Sequence, residues 1–318
     1  MRKEKNGSTD GILTIIFSSD VRRLPITFDG RAADCYHTLM QSRQWQLRHL
    51  RLNIPASGGI MGILNTTPDS FSDGGQHDTL HQALAHAEAM LAAGAHIIDI
   101  GGESTRPGAI PTDITTEIRR TIPVIEALRQ RHQEALISID TRHPEVAEAA
   151  LNAGADIIND ITALKHPDMV RLCAERPCGI ILMHNLPFDA QLPAPELMPG
   201  LIRQFFEERL QTLTAAGIAA ERICLDPGIG FGKRAEHTVE IIRHLEATRA
   251  GNRPILMALS RKRFIGQLLY GTPEPVAAPL PTVVLSLLSA DHGADLHRVH
   301  DVAELRDALL LRHAVTSI

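Results

Sequence analysis

Eight short apolar runs in this 318-residue chain each end at or beside a polar side chain. Residues 60–64 lead directly to Asn65, and later runs lead to Asp140 and Asp226. Such a run is typical of a buried strand. One polar strand end usually caps the next helix, but eight in succession predict a shared polar site. The eight ends are Asn65, Asp99, Asp140, Asn159, His184, Asp226, Ser260 and His300.

Three of these ends carry groups that suit a flat heterocyclic ligand. Asp140 and Asp226 supply carboxylate acceptors, and Asn159 supplies an amide that both donates and accepts hydrogen bonds. Together they match a ring with adjacent donors and acceptors, such as an aminopyrimidinone.

Two polar loops and several basic residues predict a second kind of ligand. Residues 65–75 read NTTPDSFSDGG, and residues 101–108 read GGESTRPG. Glycine permits close approach of the backbone to a ligand, and an arginine offers a fork for phosphate oxygens. A short GxxSTR alone is as typical of a surface turn with a solvated arginine. A charge-rich anion such as diphosphate suits the basic residues Arg106, Lys262, Arg298 and His300.

A glycine-rich stretch at residues 226–233 reads DPGIGFGK. It lacks the Walker A pattern, because Lys233 is followed by Arg234 where that motif has Ser or Thr. The stretch therefore does not predict a nucleotide-binding loop.

The elements that must position these residues alternate between strand and helix. Three helical patterns end at Gly94, Gly154 and Gly217, which suit a left-handed helix cap. Eight strand–helix units predict the α/β class, with a single (β/α)8 TIM barrel whose strands converge on one mouth. The helical patterns cover residues 83–93, 114–128, 145–153, 169–175, 201–216, 239–248, 283–290 and 302–311.

The amino-terminal part of the chain is predicted to lie outside the barrel. Residues 1–44 are expected to form an N-terminal extension, partly disordered, and residues 45–318 the barrel domain. Residues 45–54 alternate apolar and polar side chains, which predicts a hairpin packed under the barrel.

Composition excludes several classes of partner. Hydrophobic residues make up 44% of the chain and charged residues 22%, which is ordinary for a soluble globular protein. A net charge of −5 gives no reason to expect a nucleic acid or an anionic membrane, and no apolar run is long enough to span a bilayer. The four scattered cysteines indicate free thiols in a reducing compartment, so we expect a cytoplasmic protein.

Eight motifs in one order resemble the dihydropteroate synthase family of the folate pathway. They read GILNTTPDSFSDGG, IDIGGESTRPGA, ISIDT, IINDI, LMH, LDPGIGFGK, SRK and RVHD, and they span about residues 48–311. The first two are long and specific, whereas IINDI or LMH alone would be weak. The resemblance implies an enzyme that joins 6-hydroxymethyl-7,8-dihydropterin diphosphate to p-aminobenzoate, with Mg2+ assisting. It also implies a homodimer and a sulfonamide target.

The resemblance further implies roles for individual residues. Four would be catalytic: Asp140, Lys262, Arg298 and His300. The pterin would be held by Asp140, Asn159, Asp226 and Lys262, between Met183 and Phe231. The diphosphate would be held by Thr105, Arg298 and His300, with Asn65 as the Mg2+ ligand and Arg106 ordering the closed site. The p-aminobenzoate pocket would be lined by Pro68, Phe71, Thr105 and Pro107.

The sequence departs from the family pattern in its long amino-terminal extension and at residues 275–281. The latter read PVAAPLP, where an Arg and a Gly-Ser or Gly-Thr pair usually open a helix near the family's dimer contact. Two alternatives follow: a degenerate pterin-binding paralogue without synthase activity, and a pterin-dependent methyltransferase domain. The intact loops after Asn65 and Asp99 argue against both.

Overall fold

The computed structural model describes residues 2–4, 13–16, 43–67, 76–103 and 111–316. The chain begins with four short strands in one sheet: β1 (Arg2–Glu4), β2 (Leu13–Ile16), β3 (Gln44–Gln46) and β4 (Leu50–Asn53). Strands β3 and β4 form an antiparallel hairpin in which Trp45 is paired with Leu52, as predicted. Strand β2 runs parallel to β4. The disorder expected in residues 1–44, and the boundary after residue 44, stay predictions.

The next eight strands run parallel and form the wall of a barrel. They are β5 (Gly59–Asn65), β6 (Ile97–Gly101), β7 (Leu136–Asp140), β8 (Ile157–Asp160), β9 (Gly179–Met183), β10 (Ile223–Asp226), β11 (Leu256–Met257) and β12 (Leu296–Val299). Neighbours follow the chain order, and β12 pairs with β5. Strands β10 and β11 meet at one bridge, Leu225 to Ile255. That bridge brings the ring close to closure, which confirms the predicted (β/α)8 class.

Nine α-helices surround the part of the barrel that the structure describes. They are α1 (Gln76–Ala92), α2 (Ile114–Arg131), α3 (Pro144–Ala153), α4 (Pro167–Glu175), α5 (Met198–Ala215), α6 (Ala235–Arg243), α7 (Arg263–Tyr270), α8 (Pro279–Asp291) and α9 (Val302–Thr316). No helix is predicted from the sequence at the position of α7, where Gly266 lies inside the helix and weakens its pattern. Gly94, Gly154 and Gly217 have φ of 104°, 109° and 90°, which confirms the predicted caps. Among the described residues, no helix has the length and hydropathy required to cross a bilayer.

The amino-terminal hairpin fills one end of the barrel. Trp45 is fully buried, and its Nε1 donates a hydrogen bond to the carbonyl oxygen of Arg222 at 2.8 Å. A Cβ on Gly179 would lie 2.4 Å from Leu47, so the hairpin sits directly against the strands. The apolar cluster at this end is Trp45, Leu47, Leu52, Ile54, Met61, Ile97, Leu136, Ile157, Ile181, Cys224, Leu256 and Leu296. Because this end is filled, a ligand can enter the barrel only at the other end.

Replacing the indole that fills the barrel should destabilise the whole domain. We expect Trp45→Ala to lower the free energy of unfolding by about 3–5 kcal/mol, since a large buried side chain leaves a cavity. Urea denaturation measures this change. The matched control is Phe188→Ala, whose ring is 64% exposed and whose loss should change stability by less than about 0.5 kcal/mol. Equal stability of the two variants would contradict the assigned role of the hairpin.

Candidate active site

The carboxyl ends of the barrel strands bring most of the predicted site residues to one mouth. In the strand ladder, Asp140 lies beside Asn159, and Asp226 lies beside Met183. Ser260 and His300 are joined across two strand ends by a 2.9 Å hydrogen bond between Oγ and Nδ1. Five predicted site residues lie outside the described residues: Pro68, Phe71, Thr105, Arg106 and Pro107.

Arg298 lies between two carboxylates at the mouth. Its Nε donates to Oδ2 of Asp99 at 2.6 Å, and its Nη2 donates to Oδ2 of Asp140 at 2.7 Å. Asp99 is fully buried, and the same Oδ2 accepts from Nδ2 of Asn159 at 3.1 Å. Although burial lowers it, the charges of Asp99 and Asp140 leave the pKa of Arg298 above its ordinary value. These charge-assisted hydrogen bonds offset the cost of burying three charges.

The carboxyl group of Asp140 titrates close to neutral pH. Burial raises the pKa of Asp140 to about 7, while Arg298 opposes this rise and Asp99 adds to it. A carboxyl group with this pKa loses its proton readily when a ligand brings positive charge nearby. A strongly shifted pKa in a cleft also marks a residue suited to chemistry.

Asp226 and Lys262 are two further charged groups of the mouth, and each influences the pKa of the other. Oδ1 of Asp226 accepts the backbone N–H of Gly228 at 2.7 Å, and Nζ of Lys262 donates to the carbonyl oxygen of Ile229. Nζ of Lys262 also lies 5.1 Å from the centre of the Phe231 ring. Burial lowers the pKa of Lys262 to about 8, and Asp226 opposes that shift. Hydrogen-bonding groups therefore stand beside an aromatic face, which suits a flat polar ring.

The backbone at Arg261 separates the basic residues that follow β11. Arg261 has φ of 56°, a left-handed conformation that is strained for a residue with a side chain. Its guanidinium pairs with Asp301 at 2.8 Å and is exposed, as is Arg263. Of the basic run 261–263, only Lys262 contacts the other residues of the mouth.

Asn65 fits the predicted role of a Mg2+ ligand. It ends β5, is half-buried, and its side chain makes no hydrogen bond to another described residue. Mg2+ takes oxygen ligands, keeps several waters and often shares substrate phosphates, so a single protein oxygen is chemically sufficient.

A second group of acidic and histidine residues lies beside the mouth but is already paired. Glu103, Glu117 and His143 lie close enough to share a cation. However, Nδ1 of His143 is 2.7 Å from Glu117, and Arg142 holds Glu103 through two bonds of 2.9 and 3.1 Å. We interpret this group as an ion-pair network that supports the strand ends.

The family model for pterin binding enzymes matches residues 61–300, which include all the strand ends described above. The Escherichia coli K12 dihydropteroate synthase is 42% identical over 262 residues, covering 81% of this chain and 92% of the relative. The chain belongs to the dihydropteroate synthase family. Its membership also confirms the prediction of a transferase.

Other members of the dihydropteroate synthase family are similar to this chain in sequence and in structure. The Bacillus subtilis enzyme is 42% identical over 286 residues, covering 88% of this chain and 98% of the relative. The Xanthomonas albilineans enzyme with 4-aminobenzoic acid has a TM-score of 0.76 and 41% identity, covering 82% of this chain and 94% of that chain. The Yersinia pestis enzyme in a sulfonamide complex has a TM-score of 0.78 and 39% identity, covering 86% and 100%.

Sequence reasoning missed two residues and overstated a third. Asp99 is predicted as a polar strand end with no individual role, although a charged residue between two isoleucines of a buried strand is a signal of function. No role is predicted for Lys233, because its stretch lacks the pattern of a nucleotide-binding loop, yet its Nζ donates to three backbone carbonyls. The ring of His184 packs edge-on against Phe205 of α5 at 4.9 Å, so it faces the helix layer and not the mouth.

Removing the arginine should shift the titration of its carboxylate partner. We expect Arg298→Met to raise the pKa of Asp140 further above about 7, because the positive charge that most favours the ionised carboxylate is lost. A 13C NMR titration of the carboxyl carbon measures the shift. Arg203→Met, which removes an exposed pair with Glu207 on α5, is the control. An unchanged or lower pKa in Arg298→Met would contradict the coupling.

Proposed function

We propose that this chain condenses 6-hydroxymethyl-7,8-dihydropterin diphosphate with p-aminobenzoate, giving 7,8-dihydropteroate and diphosphate. The observation that carries the proposal is the convergence of Asp140, Asn159, Asp226 and Lys262 on one barrel mouth. Dihydropteroate synthase from Xanthomonas albilineans has been solved with 4-aminobenzoic acid and with 7,8-dihydropteroate.

The pterin ring matches the donors and acceptors of the mouth. The carboxylate of Asp226 accepts from ring N–H groups, the amide of Asn159 pairs with a neighbouring donor and acceptor, and Lys262 donates to a ring acceptor. Met183 is buried at the end of β9, and Phe231 lies under Lys262. These two side chains provide apolar contact for the ring faces.

The reaction breaks one bond to oxygen and forms one bond to nitrogen. The bond from the pterin methylene carbon to the diphosphate oxygen breaks, and its electron pair leaves with diphosphate. The amine nitrogen of p-aminobenzoate bonds to the same carbon and loses a proton. The family resemblance implies that departure leads, so positive charge develops on the pterin. A carboxylate at Asp140 stabilises that charge in a site with little water.

The basic residues at the mouth hold the departing anion. A guanidinium has five N–H donors, and the contacts of Arg298 with Asp99 and Asp140 use two of them. The others, together with His300 and Thr105, can bind diphosphate oxygens. Asn65 and the substrate phosphates would hold Mg2+, which when bound supplies charge that neutralises the leaving diphosphate.

The p-aminobenzoate pocket is assigned to Pro68, Phe71, Thr105 and Pro107, with Arg106 ordering the closed site. The Yersinia pestis relative binds a sulfonamide drug, and we infer that sulfonamides occupy the same pocket here. The charged groups at Asp140, Lys262 and Arg298 disfavour a paralogue without catalysis. Relatives that are dihydropteroate synthases at 42% identity disfavour a methyltransferase domain.

Helices α8 and α9 support the proposal of a homodimer. Leu280, Val284 and Leu288 follow at four-residue spacing on α8 and are 69%, 45% and 46% exposed. Leu311 and Val315 on α9 are 68% and 74% exposed. Exposed apolar side chains grouped on a surface mark an association site, and a second copy can cover them through twofold symmetry.

The altered segment at residues 275–281 is compatible with that surface. Pro279 opens α8, and Pro281 falls in the same first turn, where backbone N–H groups have no partner within the helix. The predicted cytoplasmic location is supported by Cys173, Cys178 and Cys224, which are free and buried.

Neutralising Asp140 should stop the reaction without unfolding the protein. We expect Asp140→Asn to lower turnover at least about a hundredfold, because a charge acting in the transition state is lost. Diphosphate release from pterin diphosphate and p-aminobenzoate is measured with and without Mg2+, and circular dichroism reports the fold. Asp168→Asn, at a half-exposed position on α4, is the control. Turnover near wild type in Asp140→Asn would refute the proposed function.

A charge on the exposed face of α8 should separate the two protomers. We expect Val284→Asp to sediment as a monomer where the wild type sediments as a dimer, because the new charge would be buried without a partner. Leu201→Asp, at a partly exposed position on α5, should leave the dimer intact. A wild-type monomer, or a dimeric Val284→Asp, would rule out this interface.

A further inference from the structure

Lys233 is a buried lysine whose ammonium group is enclosed by backbone carbonyls. Its Nζ donates to the carbonyl oxygens of Gly228 at 2.8 Å, His184 at 3.0 Å and Phe231 at 3.2 Å. An ammonium group has three N–H donors, so these contacts use all of them. Because His184 follows β9 and the other two residues follow β10, one side chain ties two neighbouring strand ends together.

The glycines of the loop after β10 allow these carbonyls to converge. Gly228, Gly230 and Gly232 have φ of 67°, 82° and 67°. A Cβ on Gly228 would lie 1.9 Å from the carbonyl oxygen of His184, and one on Gly232 would lie 2.4 Å from that of Leu186. The loop is therefore pressed against the segment that follows β9. Carbonyl oxygens grouped in a dry site are costly unless donors satisfy them.

The same loop makes contacts with, or supplies, three residues assigned to the pterin: Asp226, Phe231 and Lys262. Oδ1 of Asp226 accepts the N–H of Gly228, the carbonyl of Ile229 accepts from Lys262, and the Phe231 ring lies beneath the Lys262 ammonium. A shift of the loop would move an acceptor, an aromatic wall and the partner of a catalytic lysine at the same time.

We propose that Lys233 is a positioning residue for the pterin pocket. Its buried ammonium group donates hydrogen bonds to the carbonyl oxygens of residues 184, 228 and 231. These bonds hold the loop after β10 against the end of β9. It contacts no substrate, and it acts through Asp226, Phe231 and Lys262. This inference rests on the proposed function, because it takes the pterin as the ligand of the mouth.

The charge of this lysine is sensitive to pH. Burial lowers the pKa of Lys233 to about 7, with Asp226 opposing the shift and Lys262 adding to it. Below that value the ammonium supplies three donors, and above it the neutral amine supplies two. Burial lowers the pKa of the nearby His184 to about 3, and the charge of Lys233 adds to this shift, so the His184 ring is neutral throughout. Loss of one donor leaves a buried carbonyl unsatisfied and should loosen the loop.

The first test replaces the ammonium by an apolar group of similar shape. We expect Lys233→Met to raise the Kd for 6-hydroxymethyl-7,8-dihydropterin diphosphate at least about tenfold, while kcat changes less than about threefold and the KM for p-aminobenzoate is unchanged. Calorimetry and steady-state kinetics measure these values. Lys165→Met, at an exposed lysine, is the control. A folded Lys233→Met with wild-type pterin affinity would overturn the proposal, because a purely structural lysine would change stability alone.

A second test covers the case in which Lys233→Met does not fold. In the Asp140→Asn background, which removes the other group with a pKa of about 7, the probe is 6-hydroxymethyl-7,8-dihydropterin without diphosphate. We expect its affinity to fall between pH 6 and pH 7.5. Burial raises the pKa of Asp226, and its ionisation as the pH rises would strengthen binding and so oppose the expected fall. The pKa of Lys262 is higher, at about 8. An affinity that is flat or rises with pH would overturn the proposal.

Wild-type controls separate this inference from the proposed function. If the wild type binds the pterin but releases no diphosphate, the condensation is refuted while the role of Lys233 is still tested by affinity. If the wild type releases diphosphate and Lys233→Met binds pterin normally, only the positioning role is refuted. If the wild type binds no pterin, both proposals are wrong.

Discussion

The charge balance around Arg298 is the constraint on which the barrel mouth depends. A buried guanidinium requires carboxylate partners, and Asp99 and Asp140 supply them at 2.6 and 2.7 Å. Burial raises the pKa of Asp140 to about 7, because Arg298 offsets only part of that cost and the neighbouring charge of Asp99 adds to it. Asp140 can therefore stabilise a positively charged reaction centre, and Arg298 can bind an anion.

The remainder of the fold keeps this polar cluster at one end of an apolar barrel. The hairpin around Trp45 fills the opposite end with apolar side chains. Around the cluster, backbone conformation does much of the positioning. The left-handed Arg261 separates Lys262 from its basic neighbours, and the glycines after Asp226 bring carbonyls to Lys233.

Periodicity in the sequence predicted the barrel because each strand–helix unit repeats the same signal. The prediction is wrong at two elements. Helix α7 is missed because Gly266 lies inside it, and an interior glycine weakens a helical pattern. Strand β11 has 2 residues where an apolar run of five is expected, because its neighbour β10 meets this part of the chain at a single bridge. The sequence shows which strands end in polar residues, but it does not show which side chains those residues contact. That Asp99 holds Arg298, from a position 199 residues away, follows from the closure of the barrel and not from local spacing. The orientation of His184 toward α5 likewise depends on which face of its strand end the helix covers.

The most direct test of this account is a double-mutant cycle on Asp140 and Arg298, with kcat for diphosphate release as the readout. If the two side chains act as one charge-balanced unit, the Asp140→Asn, Arg298→Met double variant should be no more than about threefold slower than the slower single variant. If the two rate losses multiply, the side chains act independently, and the interpretation of Arg298 as the partner that sets the charge of Asp140 would be wrong.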